Sequence, residues 1–268
     1  MRKLFKKFVF FELLLLVMSY GVRSFFDKEI FLADSANFGW VFGIIGTAYT
    51  LIAAFVLFGV WNQYSALSSL MARESWLLGS IWNFVDYFND KKLTQNMKTV
   101  ILSYVNKTID DEVNQLAQEK ELETYSKEYV AIGKVIDGIE FNDGRDSVIY
   151  PAMIEGYRDL LDVRQQRNEA GMTRLSLSMR ILFMIFSLLL AGSSLIAGFV
   201  YTVMYFFGVG FIGAVVSLTY IVVMDMDNPF GGLFELKPTS FYQTKKYIEE
   251  AEHEVNLNQQ NKKGPRLY

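Results

Sequence analysis

FGWVFGIIGTAYTLIAAFVLFGV, residues 38 to 60, is the stretch whose reading decides the fold. It runs for 23 residues without a charge. A helix needs about 20 apolar residues to cross a hydrocarbon core roughly 30 Å thick. The stretch therefore reads as a membrane crossing. Downstream, ILFMIFSLLLAGSSLIAGFVYTVMYFFGVGFIGAVVSLTYIVVM, residues 181 to 224, gives 44 uncharged residues. That is about twice one crossing, so two helices joined by a tight turn are predicted. Glycine permits a reversal, which places the turn near Gly208-Val209-Gly210. Tyr201, Tyr205, Phe206 and Phe207 would then form an aromatic belt at that interface. Upstream, Phe8 to Val22 is 15 residues between Lys7 and Arg23, and it contains Glu12. A basic start and a short apolar run also describe a signal peptide. No small-x-small cleavage site follows Tyr20-Gly21-Val22, and Leu4, Phe5, Phe25 and Phe26 extend the apolar length. This segment is read as a retained helix.

The expected fold class is all-α: a polytopic membrane protein with four transmembrane helices, at about 5–26, 38–60, 178–204 and 208–225. A helical insert, 61–177, separates the second from the third. Residues 1–245 are expected as one unit, followed by a charged, partly disordered tail, 246–268.

Composition narrows the chemistry. Of 268 residues, 51% are hydrophobic and 16% aromatic, unusual for a soluble domain. The net charge of −3 supplies no basic field for nucleic acid. Cysteine is absent, which rules out disulfides, thiolate metal sites and cysteine nucleophiles. The single histidine, His253, sits in the charged tail. No Walker lysine loop, His-Glu-x-x-His or nucleophile elbow is present. The reading is no enzyme, no catalytic residues, no cofactor and no metal.

Basic residues are retained on the cytoplasmic side. Arg2, Lys3, Lys6 and Lys7 open the chain, while the first connection has Arg23 and Lys28 among Asp27, Glu29 and Asp34. Four crossings then put both termini and the insert in the cytoplasm. The tail cations Lys237, Lys245, Lys246, Lys262, Lys263 and Arg266 agree.

Within the insert, Leu67, Leu70, Met71, Leu77, Leu78, Ile81 and Phe84 recur at helical spacing, as though the second membrane helix continued. Met97, Ile101, Tyr104, Val105, Thr108, Val113 and Leu116 make another amphipathic stripe. Asn142-Asp143-Gly144 is a turn signal. Ser147 to Leu175 reads as the last soluble helix, with Pro151 in its first turn. From Tyr242 the tail reads as a surface helix fading into disorder.

Several residues could carry function. Gly39, Gly43, Thr47, Thr50 and Ala54 share one face of the second membrane helix. Small residues let helix backbones approach, which is the expected role; the alternative is that they line a pore and leave room for an ion. Glu12 is the one ionisable residue within a span; such a residue can face a cavity or a partner, but here it is expected near the cytosolic interface, one turn from Lys7. Arg73, Glu74, Arg164, Arg167, Arg174 and Arg180 are cytosolic charges that set topology, form ion pairs or attract anions. Asp225, Asp227 and Glu235 flank the end of the fourth span without the spacing of a calcium loop.

Two motifs resemble those of bestrophins. An apolar run leads into Trp61-Asn62-Gln63-Tyr64, and Asp227-Asn228-Pro229-Phe230-Gly231 follows the last span. Asn37-Phe38-Gly39, Trp61 to Tyr64, Arg73-Glu74 and Asp227 to Gly232 are similar to motifs of the bacterial bestrophin-like proteins. The resemblance covers most of residues 1–245. It implies a homopentamer in the lipid bilayer, conducting chloride or other small ions through a pore lined by the second helix. The bulky apolar column of the bestrophin neck falls on Gly43, Thr47 and Leu51, two of which are not bulky. Gly232-Leu233-Phe234 stand where animal bestrophins carry acidic calcium ligands, so that calcium clasp is not expected. A non-conducting membrane adaptor, using its cytosolic helices to bind a partner, is the competing reading.

Overall fold

The computed structural model describes residues 2–141, 144 and 146–262. Asn142 and Asp143 of the expected turn, and the tail beyond Lys262, lie outside the described residues. The elements are α1 (Arg2–Phe25), α2 (Lys28–Ala33), α3 (Ser35–Val85), α4 (Lys91–Lys107), α5 (Val113–Ala117), α6 (Lys127–Asp137), α7 (Asp146–Met172), α8 (Leu177–Leu195), α9 (Thr202–Met226) and α10 (Thr239–Lys262). Among the described residues there is no strand, and four helices are long and apolar enough to cross a membrane. The chain forms two compact units: 1–64 with 174–235, and 65–173 with 236–268.

In the first unit, one face of α3 packs inward. Tyr49, Ala53, Val56 and Val60 are buried against Phe183 and Leu190 of α8 and Val216, Val223 and Met226 of α9. A second cluster joins Leu15 of α1 to Ala191, Leu195, Tyr205 and Val209. Ser176 caps α8, its hydroxyl accepting from Met179 N–H.

The break between the last two spans lies at Ile196–Tyr201, not at Gly208-Val209-Gly210, which sits inside α9. Gly198 explains the position, because a Cβ there would lie 2.4 Å from the Phe31 carbonyl oxygen. Arg23 completes the break by donating to the carbonyls of Ala197 and Phe199, at 3.5 and 3.4 Å. A cation at carbonyls left free by a helix end is favourable. The aromatic belt loses a member for the same reason. Tyr205 is buried, donates to Leu195 O at 2.8 Å, and carries the Arg23 guanidinium 4.1 Å above its ring. Phe206 packs against the same cluster, while Tyr201 and Phe207 are exposed.

In the second unit, all seven residues of the stripe from Met97 to Leu116 are buried. Asp90 starts α4 by accepting from Lys92 and Leu93 N–H. A π-helical turn, Thr108–Glu112, separates α4 from α5. α7 begins at Asp146, which puts Pro151 in its second turn rather than its first. α10 carries more than surface residues: Phe241 and Ile248 are buried, and Ser75 hydrogen-bonds Ser240 O and Thr244.

Candidate functional site

α3 carries two opposed faces. Residues two apart are about 200° apart around a helix, so Thr47 points away from the buried Tyr49. Gly39, Gly43, Thr47, Thr50, Leu51 and Ala54 are all exposed on the single chain. No atom comes within 4 Å of a Cβ placed at Gly39 or Gly43. The face forms an open-sided groove of about 770 Å³, bordered by Trp40 and Ile44. Thr47 and Thr50 donate to Gly43 O and Gly46 O, each at 2.8 Å. Their donors are satisfied by the helix itself, so the face presents methyl groups, hydroxyl lone pairs and glycine backbone, with no charge. Packing against another helix of the same chain does not account for these small residues.

The two sequence motifs sit at different places in the first unit. Trp61 is exposed and stacks on Tyr64, ring centroids 6.3 Å apart. Asp227 is buried at the end of α9, where its carboxylate accepts from Leu175 N–H at 2.6 Å and pairs with Arg180. Asn228 accepts from Arg174 at 3.3 Å. Phe230 is buried, and a Cβ on Gly231 would press on the Asn228 amide. This motif ties the end of α9 to the chain entering α8, and it engages both Arg174 and Arg180. Asp225 accepts from Leu233 and Phe234 N–H at 2.7 and 2.9 Å, closing the following loop. Among the described residues no cluster of three or more His, Asp or Glu could hold a metal.

Glu12 accepts from the Ser217 hydroxyl at 3.1 Å and lies against Gly213. Ser217 stands nine residues before the end of α9, about 13 Å along the axis. The carboxylate therefore turns toward α9 within the bundle.

In the second unit, three of the four charge candidates come together. Glu74, Arg164 and Arg167 are buried, and Arg73 is exposed elsewhere. Arg164 pairs with Glu112 at 2.6 Å; Arg167 pairs with Glu112 at 2.6 Å and with Glu74 at 2.8 Å. The Arg167–Glu74 contact is an ion pair off the hydrogen-bond line, and among the described residues Arg167 Nη1 has no hydrogen-bond partner. Tyr104 donates to Glu74 at 2.5 Å and accepts from Arg164 at 3.2 Å. Two guanidiniums and two carboxylates sum to zero, which makes their burial tolerable. Burial holds the Glu74 carboxyl above its ordinary value despite Arg167, and pushes the Tyr104 phenol well up. Burial also acts to raise Glu112, but Arg167 and Arg164 outweigh it, so its carboxyl stays below the usual range. Glu112 was not among the expected charges, although it lies one turn after Thr108 on a stripe that is otherwise apolar.

Four apolar spans, one of them with an uncharged small-residue face, define a polytopic α-helical integral membrane protein. The chain belongs to the bestrophin-like family, whose Bestrophin-like domain matches residues 9–241. Solved structures share the fold. A point variant of a bacterial bestrophin homologue from Klebsiella pneumoniae superposes with a TM-score of 0.69 at 12% identity, covering 91% of this chain and 98% of that one. Another structure of that homologue gives 0.65 at 12% identity, covering 90% and 97%. No curated protein matches the chain.

Proposed function

We propose that the protein is an ion channel of bestrophin type, passing chloride or other small ions through a central pore lined by α3 of a homo-oligomer, with the pentamer of the family as its expected form. One observation carries the reading: the face of α3 from Gly39 to Ala54 is small, neutral and uncovered by its own chain. A helix turned to lipid gains nothing from glycine and threonine, whereas copies around an axis can enclose a path between such faces. Gly43 and Thr47, where relatives carry bulky apolar groups, make a wider neck. Without a charge ring, the barrier is set by diameter and wetting. The reading includes both termini in the cytoplasm of a bacterial inner membrane, supported by the basic N-terminus.

The test is ion flux from liposomes containing purified protein, comparing chloride with sodium, in wild type and Thr47→Phe. Flux that falls with Thr47→Phe supports the pore; no flux above empty liposomes for any small ion sinks it. A second reading, a membrane adaptor, draws on one feature of the second unit. Trp76 is 67% exposed beside a groove of about 480 Å³ shared with α10 residues including Tyr247. Two exposed aromatics, Trp76 and Tyr247, on one groove suit a protein partner.

A further inference from the structure

In the first unit, α1, α8, α9 and the loop after α9 line an open-sided pocket of about 610 Å³. Most of its wall is apolar: Phe10, Met184, Leu188, Tyr220 and Met224. Its floor is not, because Asp225 and Asn228 line one end. Asp225 is 8% exposed, and among the described residues it has no ion pair. The nearby arginines are engaged elsewhere, Arg180 with Asp227 and Arg174 with Asn228. Both backbone donors, Leu233 and Phe234 N–H, fall on Asp225 Oδ2. Oδ1 receives no donor and faces the Cα of Gly232, where an added Cβ would lie 2.2 Å away. Gly232 has φ +103°, so a side chain there is doubly disfavoured, and its absence leaves the room that the Asp225 carboxylate occupies. Farther up the wall, Ser217 holds the second acidic group, Glu12.

A buried carboxylate without a counter-cation is costly. Here it closes one end of a largely apolar pocket lined by three of the apolar helices. We infer that this pocket binds a primary-amine amphiphile, its ammonium on Asp225 and its apolar chain along Met184, Leu188 and Tyr220. The amine can come from an aminophospholipid headgroup or from a free lipophilic amine. Anionic amphiphiles are repelled by Asp225, and neutral ones leave its charge uncompensated. The inference does not depend on whether the protein conducts ions.

The experiment uses the full chain in phosphatidylcholine nanodiscs. The probe is dodecylamine carrying a diazirine on its chain, with the matching dodecanol probe as control. After photolysis, labelled peptides are mapped by mass spectrometry. Amine labelling is expected within 184–188 and 216–224, about tenfold above the alcohol probe, the ratio expected when a desolvated ion pair replaces a neutral hydrogen bond. Asp225→Asn keeps the loop's acceptor but removes the charge, and is expected to bring the amine down to the alcohol's level. Because Asp225 also closes a loop, Leu188→Trp provides an independent arm: it fills the apolar end, leaves Asp225 intact, and should abolish labelling without lowering the melting temperature. Competition by phosphatidylethanolamine assigns the site to a headgroup amine, and competition by unlabelled dodecylamine alone assigns it to a free amine. Equal labelling by both probes, labelling that survives Leu188→Trp, or competition by neither amine overturns the inference.

Discussion

Arg164 grips Glu112 through two N–H···O contacts, of 2.6 and 3.0 Å, with both side chains buried. The π-helical turn ending at Glu112 adds a residue to the helical repeat and so brings its carboxylate to α7. Arg167 shares the same carboxylate. Removing that charge leaves two buried guanidiniums facing Glu74 alone. Glu112→Gln should therefore destabilise the protein by about 3–5 kcal/mol, read as a lower melting temperature in detergent at pH 7.

The same cluster fixes a pH signature. Glu112 is held below its unfolded value of 4.5, so its contribution is present above about pH 4.5 and is lost as pH falls through the folded value. Glu74 is held above 4.5, so its shift favours the fold below about pH 4.5, and that advantage is lost as pH rises through the folded value. The penalty of Glu112→Gln should stay flat from pH 7 to about 5 and shrink below 4.5. Glu74→Gln should cost less than Glu112→Gln at pH 7, because burial already opposes that charge. Equal penalties in melting curves at pH 7 would contradict this ordering.

Gly198 and Gly210 separate two uses of glycine. At Gly198 a methyl group would collide with the Phe31 carbonyl oxygen, and backbone cannot swing aside as a side chain can. Gly198→Ala should cost about 1–3 kcal/mol. Gly210 lies inside α9 with nothing within 4 Å of a Cβ, and Gly210→Ala should be neutral or stabilising by up to about 1 kcal/mol. Thermal unfolding of both variants in one detergent gives the comparison.

These glycines also mark what a sequence can and cannot reveal. Uncharged length identifies spans because the bilayer sets that length and tolerates little charge. The stripe from Met97 to Leu116 was legible because burial recurs with the helical period. The turn between the last spans was not, because Gly208 and Gly210 look as permissive as Gly198. What chooses between them is the Phe31 carbonyl and the Arg23 guanidinium, both more than 160 residues away along the chain. Arg164 and Arg167 stood out as charges, but their partner Glu112 was hidden by a π turn that no spacing rule anticipates. The small-residue face of α3 could be drawn from spacing alone; that its own chain leaves it bare could not.

Asp227 is expected to matter more than its ion partner. Arg180 is 39% exposed, so solvent weakens the pair, and Arg180→Gln should cost no more than about 1 kcal/mol. Asp227→Ala also strips the acceptor from Leu175 N–H at the entry to α8, which adds about 1–3 kcal/mol. Melting temperatures of the two variants should fall in that order.

The face of α3 can be tested by single cysteines, since the chain contains none of its own. Thr47 lies on the small-residue face; Val41, six residues earlier, lies about 120° around the helix and is 52% exposed. If Thr47 faces a wetted pore, Thr47→Cys reacts with a charged, membrane-impermeant methanethiosulfonate, and ion flux drops on modification. Val41→Cys should resist that reagent and react with a lipophilic maleimide instead. Should the small-residue face be a contact between copies rather than a pore wall, Thr47→Cys would cross-link into disulfide dimers on oxidation while resisting the charged reagent. The two reagents therefore distinguish a face that meets water from one that meets protein, which exposure on a single chain does not do.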